Sequence, residues 1–173
     1  NTQFTSLDLS NNTALTSLSC SNNAITNLNL DQNTGLSSVR CASNQISNLD
    51  LSQNTLLSDL MCSNNLISNL DLEQNMILDI LRCNSNQLTS LDVSQNGWLS
   101  HLQCTDNQII SLDLRNGNNV NMSSDTLVAG FSNNPNLYCI NVDDTAWAIA
   151  NWTVTNGMID PQNYFSENCP PSS

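Results

Sequence analysis

A spacing of 21 residues governs most of this sequence. Leucine, cysteine and asparagine each recur at that spacing, in strict register over five copies. The three columns are Leu15, Leu36, Leu57, Leu78 and Leu99; Cys20, Cys41, Cys62, Cys83 and Cys104; and Asn23, Asn44, Asn65, Asn86 and Asn107. A fixed period of this length is typical of a solenoid, in which each copy is one turn of the coil. Five full copies therefore occupy 15–119, and residues 1–14 are the end of an earlier copy.

Each copy reads LxxLxCxxNxIxxLDLxQNxx, which is two half-units of similar form. In the first copy Leu18 and Cys20 flank Ser19, and Leu28 and Leu30 flank Asn29. This alternation has a period of two, so it predicts one short strand in each half, with the apolar residues turned inward. Stacked copies would then form parallel strands on two sides of a flattened coil. An asparagine follows each predicted strand, and we expect two ladders of inward asparagine side chains that bond the backbone of the turns.

The pattern resembles the short bacterial leucine-rich repeats of the IRREKO type, whose consensus carries the LxxLxLxxN half-unit twice. The resemblance covers residues 4 to about 119, with cysteine in a column where the consensus has leucine. It implies a mainly β leucine-rich-repeat solenoid with two short parallel strands per 21-residue turn.

The period breaks at Gly117, where the second asparagine column ends. We divide the chain into a solenoid at 1–119, a C-terminal cap at 120–169 and the start of a linker at 170–173. Residues 116–136 are expected to form a looser turn. The segment 137–144 predicts one last strand, with Leu137, either Cys139 or Ile140, and Val142 turned inward.

A short helix is predicted over 146–152, capped by the residues at 143–145. Trp147 and Ile149 would close the end of the core. A cap of this kind is required because an open solenoid end exposes apolar side chains and strand edges. The cap sequence is similar to the C-terminal caps of secreted Bacteroidetes proteins. That resemblance implies export by a type IX pathway and a larger parent protein.

The seven cysteines divide into two groups. Cys139 and Cys169 lie outside the repeat, and we predict that they form a disulfide, which would place the protein in an oxidising compartment. The five repeat cysteines are interpreted as buried free thiols that replace leucine. Disulfides between neighbouring copies are disfavoured because the number is odd and the side chains run parallel. A metal or redox site is disfavoured because no CxxC spacing and no nearby histidine occur.

The chain is strongly acidic. It has 3 arginines and no lysine against 15 carboxylates, a formal charge of −12. Such a surface repels nucleic acid and anionic membranes, so neither is expected as a partner. No apolar run has the length of a membrane span, and no signal peptide is recognised. Because the sequence starts in mid-pattern, we interpret it as a mature protein or an excised domain, part of a longer chain.

One outward column carries a carboxylate in almost every copy. Its members are Asp8, Asn29, Asp50, Asp71, Asp92 and Asp113, which we call the Asp ladder. The first interpretation is structural: each side chain accepts hydrogen bonds from serines or backbone N–H groups and orders its turn. The alternative is weak cation binding, for example of Ca²⁺, by Asp50, Asp71, Asp92 and Asp113. No other cofactor is expected.

The outward columns of the first half-unit vary from copy to copy. They contain Arg40, Met61, Arg82, His101 and Gln103, and we predict that these five residues bind a ligand. Unselected variation of a solvated surface is the alternative. A third column, with Leu56, Ile77 and Trp98, is expected to lie tucked under the corner loop; if exposed, Trp98 would be able to stack on a sugar ring.

The sequence contains no catalytic constellation, and we do not expect an enzyme. The leading hypothesis is a secreted or cell-surface recognition and adhesion module that binds a protein or a polysaccharide. One alternative is a structural spacer within a larger adhesin or polysaccharide-degrading protein. Another is a flat cation- or ice-binding array, for which the outward column Thr26, Ser47, Ser68 and Thr89 is the candidate.

Overall fold

The computed structural model describes residues 3–122 and 129–171 as a coil of short parallel strands. The six-stranded sheet A has, in order, β1 (Ser17–Ser19), β2 (Ser38–Arg40), β3 (Asp59–Met61), β4 (Ile80–Arg82), β6 (His101–Gln103) and β8 (Ala129–Gly130). The four-stranded sheet B has β5 (Ser90–Asp92), β7 (Ser111–Asp113), β9 (Cys139–Asn141) and β10 (Tyr164–Ser166). A 3-10 helix at Asn119–Asn121 and one α-helix, α1 (Thr145–Asn151), complete the elements of the described residues. The fold is the predicted mainly β parallel solenoid.

The strands of sheet A pair in register at the repeat spacing. Leu18 pairs with Val39, Val39 with Leu60, and Leu60 with Leu81. Each strand buries its central residue and turns its two flanking residues outward, as the period of two predicts. The buried residues of both half-units join one apolar core that continues from Leu9 to Phe165.

The second strand of each turn forms only in the last two copies. β5 and β7 are present there, whereas the backbone at 27–29, 48–50 and 69–71 is not a strand. The inward Leu28, Leu49 and Leu70 are nevertheless buried. The strand begins with Ser90 or Ser111 in the last two copies and with asparagine in the first three, and asparagine is depleted from strands. The prediction of two strands per turn therefore holds for those two copies, and the burial pattern holds for all five.

The first asparagine column joins each turn to the one before it. In Asn65, Oδ1 accepts a hydrogen bond from the backbone N–H of Ile46 at 3.0 Å. Its Nδ2 donates to the carbonyls of Cys41 at 3.1 Å and Cys62 at 3.0 Å. Asn44, Asn86 and Asn107 make the same set of bonds, and Asn134 continues the column in the cap. The predicted asparagine ladder is confirmed at this corner.

The second asparagine column uses its amide differently. Nδ2 of Asn54 donates to the carbonyls of Leu30 at 3.2 Å and Asn33 at 2.9 Å, both in the preceding turn. At the break, Gly117 occupies the column position with a φ of 76°. Asn119 then takes over: its Nδ2 donates to the Leu114 carbonyl at 2.7 Å, and its Oδ1 accepts from the N–H of Asp143 at 2.9 Å. The second ladder is therefore also confirmed, and its last member ties the solenoid to the cap.

The residue before each asparagine of the first column has a left-handed backbone. The φ values are between 54° and 61° at Asn22, Ser43, Asn64, Ser85, Asp106 and Asn133. Asparagine and aspartate tolerate this region better than other non-glycine residues because their short polar side chains bond locally. The sharp reversal that follows directs the next asparagine side chain into the core.

The cap continues the solenoid. Ala129 pairs with Leu102, a separation of 27 residues where the repeat has 21, so this turn is six residues longer. The cap contains β8 and β10 in addition to the predicted strand β9, so the prediction of one last strand was incomplete. Of the two alternatives for the inward residue of β9, Ile140 is buried, whereas Cys139 forms a disulfide with Cys169.

Helix α1 is capped by Asp144, as predicted, since the Asp144 side chain accepts a hydrogen bond from the N–H of Trp147 at 2.9 Å; the helix runs over Thr145–Asn151, one residue earlier than the predicted 146–152. The prediction that Ile149 closes the core was wrong, since Ile149 is 60% exposed. The core is closed by Ala148 and Trp152, and Trp147 packs against it as predicted, with its ring 5.1 Å from that of Trp152. The looser turn and the linker predicted above include 123–128 and 172–173, which lie outside the described residues. Neither helix in the described ranges is long and apolar enough for a transmembrane span.

The asparagine ladder predicts a large difference between two asparagines of one region. Asn65→Ala leaves the buried Ile46 N–H without its partner and removes one of the two amide hydrogen bonds to the Cys41 carbonyl, the other coming from Asn44. The free energy of unfolding should therefore fall by about 2–4 kcal/mol. Asn48→Ala is the control because Asn48 is exposed, and it should change stability by less than ~0.5 kcal/mol. Urea unfolding followed by circular dichroism measures both, and equal effects would contradict the bridging role.

Candidate functional site

The outward residues of sheet A form two parallel rows across its middle. One row contains Asp59, Ile80 and His101, and the other contains Met61, Arg82 and Gln103. Members of a row are one strand spacing apart, about 4.8 Å. Arg40 extends the second row, since it pairs in register with Met61. The fold therefore brings the five residues predicted to bind a ligand onto one face, which we call the sheet A face.

The two arginines on this face differ in their contacts. Arg40 forms an ion pair with Asp59 at 2.9 Å, and the hydroxyl of Ser38 donates to the same carboxylate at 3.1 Å. The sequence pattern did not reveal this pair, because its members are 19 residues apart and lie diagonally on adjacent strands. The guanidinium of Arg82 makes no hydrogen bond or ion pair with any residue of the described ranges. Within these ranges its positive charge has no partner, on a chain with a formal charge of −12.

His101 is oriented by a chain of two hydrogen bonds. The Ser100 hydroxyl lies 2.7 Å from His101 Nδ1 and donates to the Asp79 carboxylate. Because a hydroxyl has one proton and the carboxylate accepts it, Nδ1 of His101 donates to the serine oxygen. This order differs from that of a serine hydrolase, in which the imidazole accepts the serine proton. The arrangement positions the imidazole and does not activate Ser100.

The third outward column is exposed, contrary to the prediction that it lies under the corner loop. Leu56 is 54% exposed, Ile77 43% and Trp98 70%. These residues occupy the tight corner that follows the second asparagine column. The backbone there reverses too sharply for a side chain at this position to turn back beneath it. Trp98 is consequently available to solvent.

The Asp ladder makes one local hydrogen bond per turn. In each copy Oδ1 accepts from the backbone N–H two residues later, at 2.9–3.1 Å, for Asp8, Asn29, Asp50, Asp71, Asp92 and Asp113. This bond from Ser10 holds the pKa of Asp8 below its ordinary value, and the bond from Ser52 does the same for the pKa of Asp50. These are the hydrogen bonds that the structural interpretation requires.

The end of the Asp ladder has an additional partner. Burial alone would raise the pKa of Asp113, but hydrogen bonds from Arg115 and its charge hold that pKa below the ordinary value. The Arg115 Nε lies 2.9 Å from Asp113, and its Nη1 donates to the Glu167 carbonyl at 3.2 Å. Arg115 therefore joins the ladder to the cap.

A shallow depression of about 370 Å³ lies over the ladder, lined by Asp71, Glu73 and Asp92 among others. Within the described ranges, no three histidine, cysteine or acidic side chains are grouped as a metal site. Cation binding by Asp50, Asp71, Asp92 and Asp113 remains a prediction.

The five repeat cysteines are buried free thiols, as predicted. Burial raises the pKa of Cys104 to about 12 and raises the pKa of Cys62 and Cys83 well above the ordinary value. A thiol reacts as its thiolate, so this column is chemically inert in the folded protein. The predicted Cys139–Cys169 disulfide is present, with a Cα–Cα distance of 5.8 Å.

Solved structures with a similar fold are leucine-rich-repeat proteins of bacteria. The functional domain of InlJ from Listeria monocytogenes, which includes a cysteine ladder, has 32% sequence identity and a TM-score of 0.67 over 82% of this chain. A leucine-rich-repeat protein of Leptospira interrogans has 28% identity and a TM-score of 0.59 over 62% of this chain. An internalin, InlF, of Listeria monocytogenes has 18% identity and a TM-score of 0.54 over 94% of this chain, and this match concerns the fold alone.

The chain is similar to these proteins over part of their length. It spans 32% of the InlJ domain, 30% of the Leptospira protein and 45% of InlF. No protein-family model and no curated protein matches the sequence. The fold is a leucine-rich-repeat solenoid, and the cysteine column has a counterpart in a solved bacterial structure.

The hydrogen bonds of the Asp ladder predict that amides can replace its carboxylates. In the triple variant Asp50→Asn, Asp71→Asn, Asp92→Asn each new amide oxygen still accepts the hydrogen bond from the same backbone N–H group, as the amide oxygen of Asn29 does at 2.9 Å. The variant also removes three like charges. The melting temperature at pH 7 should be unchanged or slightly higher, and millimolar Ca²⁺ should not shift that of the parent protein. A Ca²⁺-induced increase that EDTA reverses and the triple variant lacks would instead establish cation binding.

The same ladder predicts a defined acid sensitivity. The pKa of Asp50 is lowered by folding, so its contribution to stability is complete above the ordinary value of 3.8 and is lost as the pH falls through the folded-state pKa. Asp50→Asn should remove this contribution and flatten the dependence of unfolding free energy on pH below 3.8.

Thiol counting tests the cysteine column. Because the thiols are buried and their pKa values are raised, none of the five should react with Ellman's reagent in the native protein at pH 8. Unfolding in guanidinium should release five reactive thiols, and prior reduction of the disulfide should release seven. Rapid reaction of the native protein would show that the column is accessible.

Proposed function

We propose that this chain is a non-catalytic recognition module that binds a protein through the sheet A face. The observation that carries the proposal is the character of that face. Two of the three arginines and the single histidine are concentrated there, beside Met61 and Ile80, on a chain with a formal charge of −12. Arginine is among the residues that contribute most of the binding energy at protein interfaces, and methionine is enriched there.

The scaffold supports this assignment. The inward residues of sheet A are nearly the same in every copy, whereas the outward residues change from one strand to the next. Repeat proteins place recognition on such a surface, because the shape is maintained while its chemistry varies. Arg82 at its centre, which has no ion pair within the described part of the chain, suits an acidic group of the ligand. Arg40, Met61, His101 and Gln103 surround it.

A secreted or cell-surface location fits the same proposal. The Cys139–Cys169 disulfide persists in an oxidising compartment. The proposal includes four features that rest on the sequence patterns: export by a type IX pathway, a Bacteroidetes source, the IRREKO subtype and the division at residue 119.

The test is a capture experiment with matched variants. The parent chain is immobilised, extracellular and surface proteins of the source community are passed over it, and the affinity of each retained protein is measured by surface plasmon resonance. The double variant Arg40→Ala, Arg82→Ala should bind the specific ligand at least tenfold more weakly, since one interface arginine contributes about 1–2 kcal/mol.

Gln53→Glu, Gln95→Glu is the control. It makes the same change in net charge at two exposed residues on a different surface, and it should retain the ligand with an affinity within about twofold. Equal loss in both variants would show a non-specific charge effect. Absence of any retained protein, together with silence on a glycan array, would favour the structural spacer.

A further inference from the structure

A groove of about 570 Å³ lies at the cap end of sheet B, away from the sheet A face. This volume is in the range of small-molecule sites, about 300–1,000 Å³. One wall consists of Ile110 and Tyr138, which occupy equivalent positions in successive turns because Leu112 pairs with Ile140. Tyr164 also lines the groove; it lies on strand β10 and pairs in register with Cys139 of the neighbouring strand β9.

The wall changes character at this point in the solenoid. The position of Ile110 and Tyr138 is occupied by Thr26, Ser47, Ser68 and Thr89 in the earlier copies. The apolar and aromatic side chains are thus confined to the cap end, where Tyr138 is 57% and Tyr164 50% exposed. The opposite side is bounded by Pro170, which follows the disulfide at Cys169 and is held against the sheet by it.

The floor and rim of the groove supply uncharged hydrogen-bonding groups. Ser111 and Asn141 lie on the floor, and Asn136 lies on the rim. The Asn141 Oδ1 accepts from the Cys169 N–H at 2.7 Å. Its Nδ2, the Ser111 hydroxyl and the Asn136 amide make no hydrogen bond within the described part of the chain. They are available to a ligand.

No charged side chain of the described residues lines this groove, although the chain carries 18 charged residues. The ligand that matches the lining is therefore neutral, with flat apolar surfaces and many hydroxyl groups. We propose that this groove binds a neutral oligosaccharide, whose sugar rings stack on Tyr138 and Tyr164 and whose hydroxyl groups bond to Ser111, Asn136 and Asn141.

A peptide fits the groove less well. Strand β9, which supplies Cys139 and Asn141 to the groove, is paired on both sides, with β7 and with β10, so an extended peptide backbone would have only the outer edge of β10 to pair with. The hydrogen-bonding groups on offer are those of side chains, which suit hydroxyl groups. The disulfide and the paired strands also fix the groove before binding, which lowers the entropic cost of association.

The probes are the neutral tetrasaccharides cellotetraose, xylotetraose, laminaritetraose, chitotetraose and maltotetraose, with tetragalacturonate as the acidic counterpart. A proline-rich peptide represents the competing class. Isothermal titration calorimetry on the whole chain should detect at least one neutral tetrasaccharide with a Kd of about 1 mM or tighter. Tetragalacturonate should bind at least about tenfold more weakly, because the acidic chain repels it.

Variants assign the site. Tyr138→Ala and Tyr164→Ala should each weaken binding about five- to tenfold through loss of stacking, while Tyr138→Phe and Tyr164→Phe stay within about threefold. Trp98→Ala removes the exposed aromatic ring of the opposite corner and should leave the affinity within about twofold. Melting temperatures confirm that each variant is folded.

Three results would overturn the proposal: no neutral tetrasaccharide bound at millimolar concentration, binding insensitive to both tyrosine-to-alanine changes, or binding lost in Trp98→Ala. Tyrosine-dependent binding of the peptide alone would assign the groove to a protein segment. Because the groove and the sheet A face lie on different sheets, Arg40→Ala, Arg82→Ala should not affect this binding. The two proposals therefore succeed or fail independently.

Discussion

The asparagine side chains that bridge successive turns are the interaction on which the remainder of the structure depends. A corner that reverses the chain within a few residues leaves backbone N–H and carbonyl groups in the interior, where an unpaired polar group costs about 1–3 kcal/mol. An asparagine amide has a donor and an acceptor at one end of a short side chain. Asn65 uses both to join Ile46 and Cys41 of the preceding turn to its own turn. Each copy is thereby held at the spacing that lets its strand pair with the next.

The binding surfaces follow from this regularity. Because the inward positions are fixed by packing, only the outward positions can change without disturbing the coil. On the sheet A face these positions place Arg82 among Met61, Ile80 and His101, and Arg82 has no partner within the described residues. On sheet B the outward Asp ladder is occupied in local hydrogen bonds, and at the cap Tyr138 stands in the column that holds threonine or serine in the earlier copies. The cap is therefore both the end of the core and the place where the second surface changes chemistry.

Several predictions from the sequence were confirmed because they depended on local sequence alone. The parallel solenoid, the two asparagine ladders, the buried cysteines and the helix cap at Asp144 all follow from residue type and spacing. The errors arose where neighbouring turns or loop geometry decide. Trp98 and Ile149 are apolar and were expected to be buried, but both side chains are mostly exposed. The Arg40–Asp59 pair joins residues on adjacent strands, and the Ser100–His101 contact joins neighbouring residues. No periodic pattern in the sequence identifies either contact.

The sequence by itself determined the unit of the fold. Its 21-residue period sets which side chains face inward, and the asparagines specify where the chain turns, because both depend on local geometry repeated in every copy. The tertiary structure decided where the second strand of the turn forms and how the cap closes the core on Trp152. It also decided which outward residues become neighbours. These outcomes depend on distances between turns that are 19 to 28 residues apart along the chain, and such distances are fixed only when the coil is assembled.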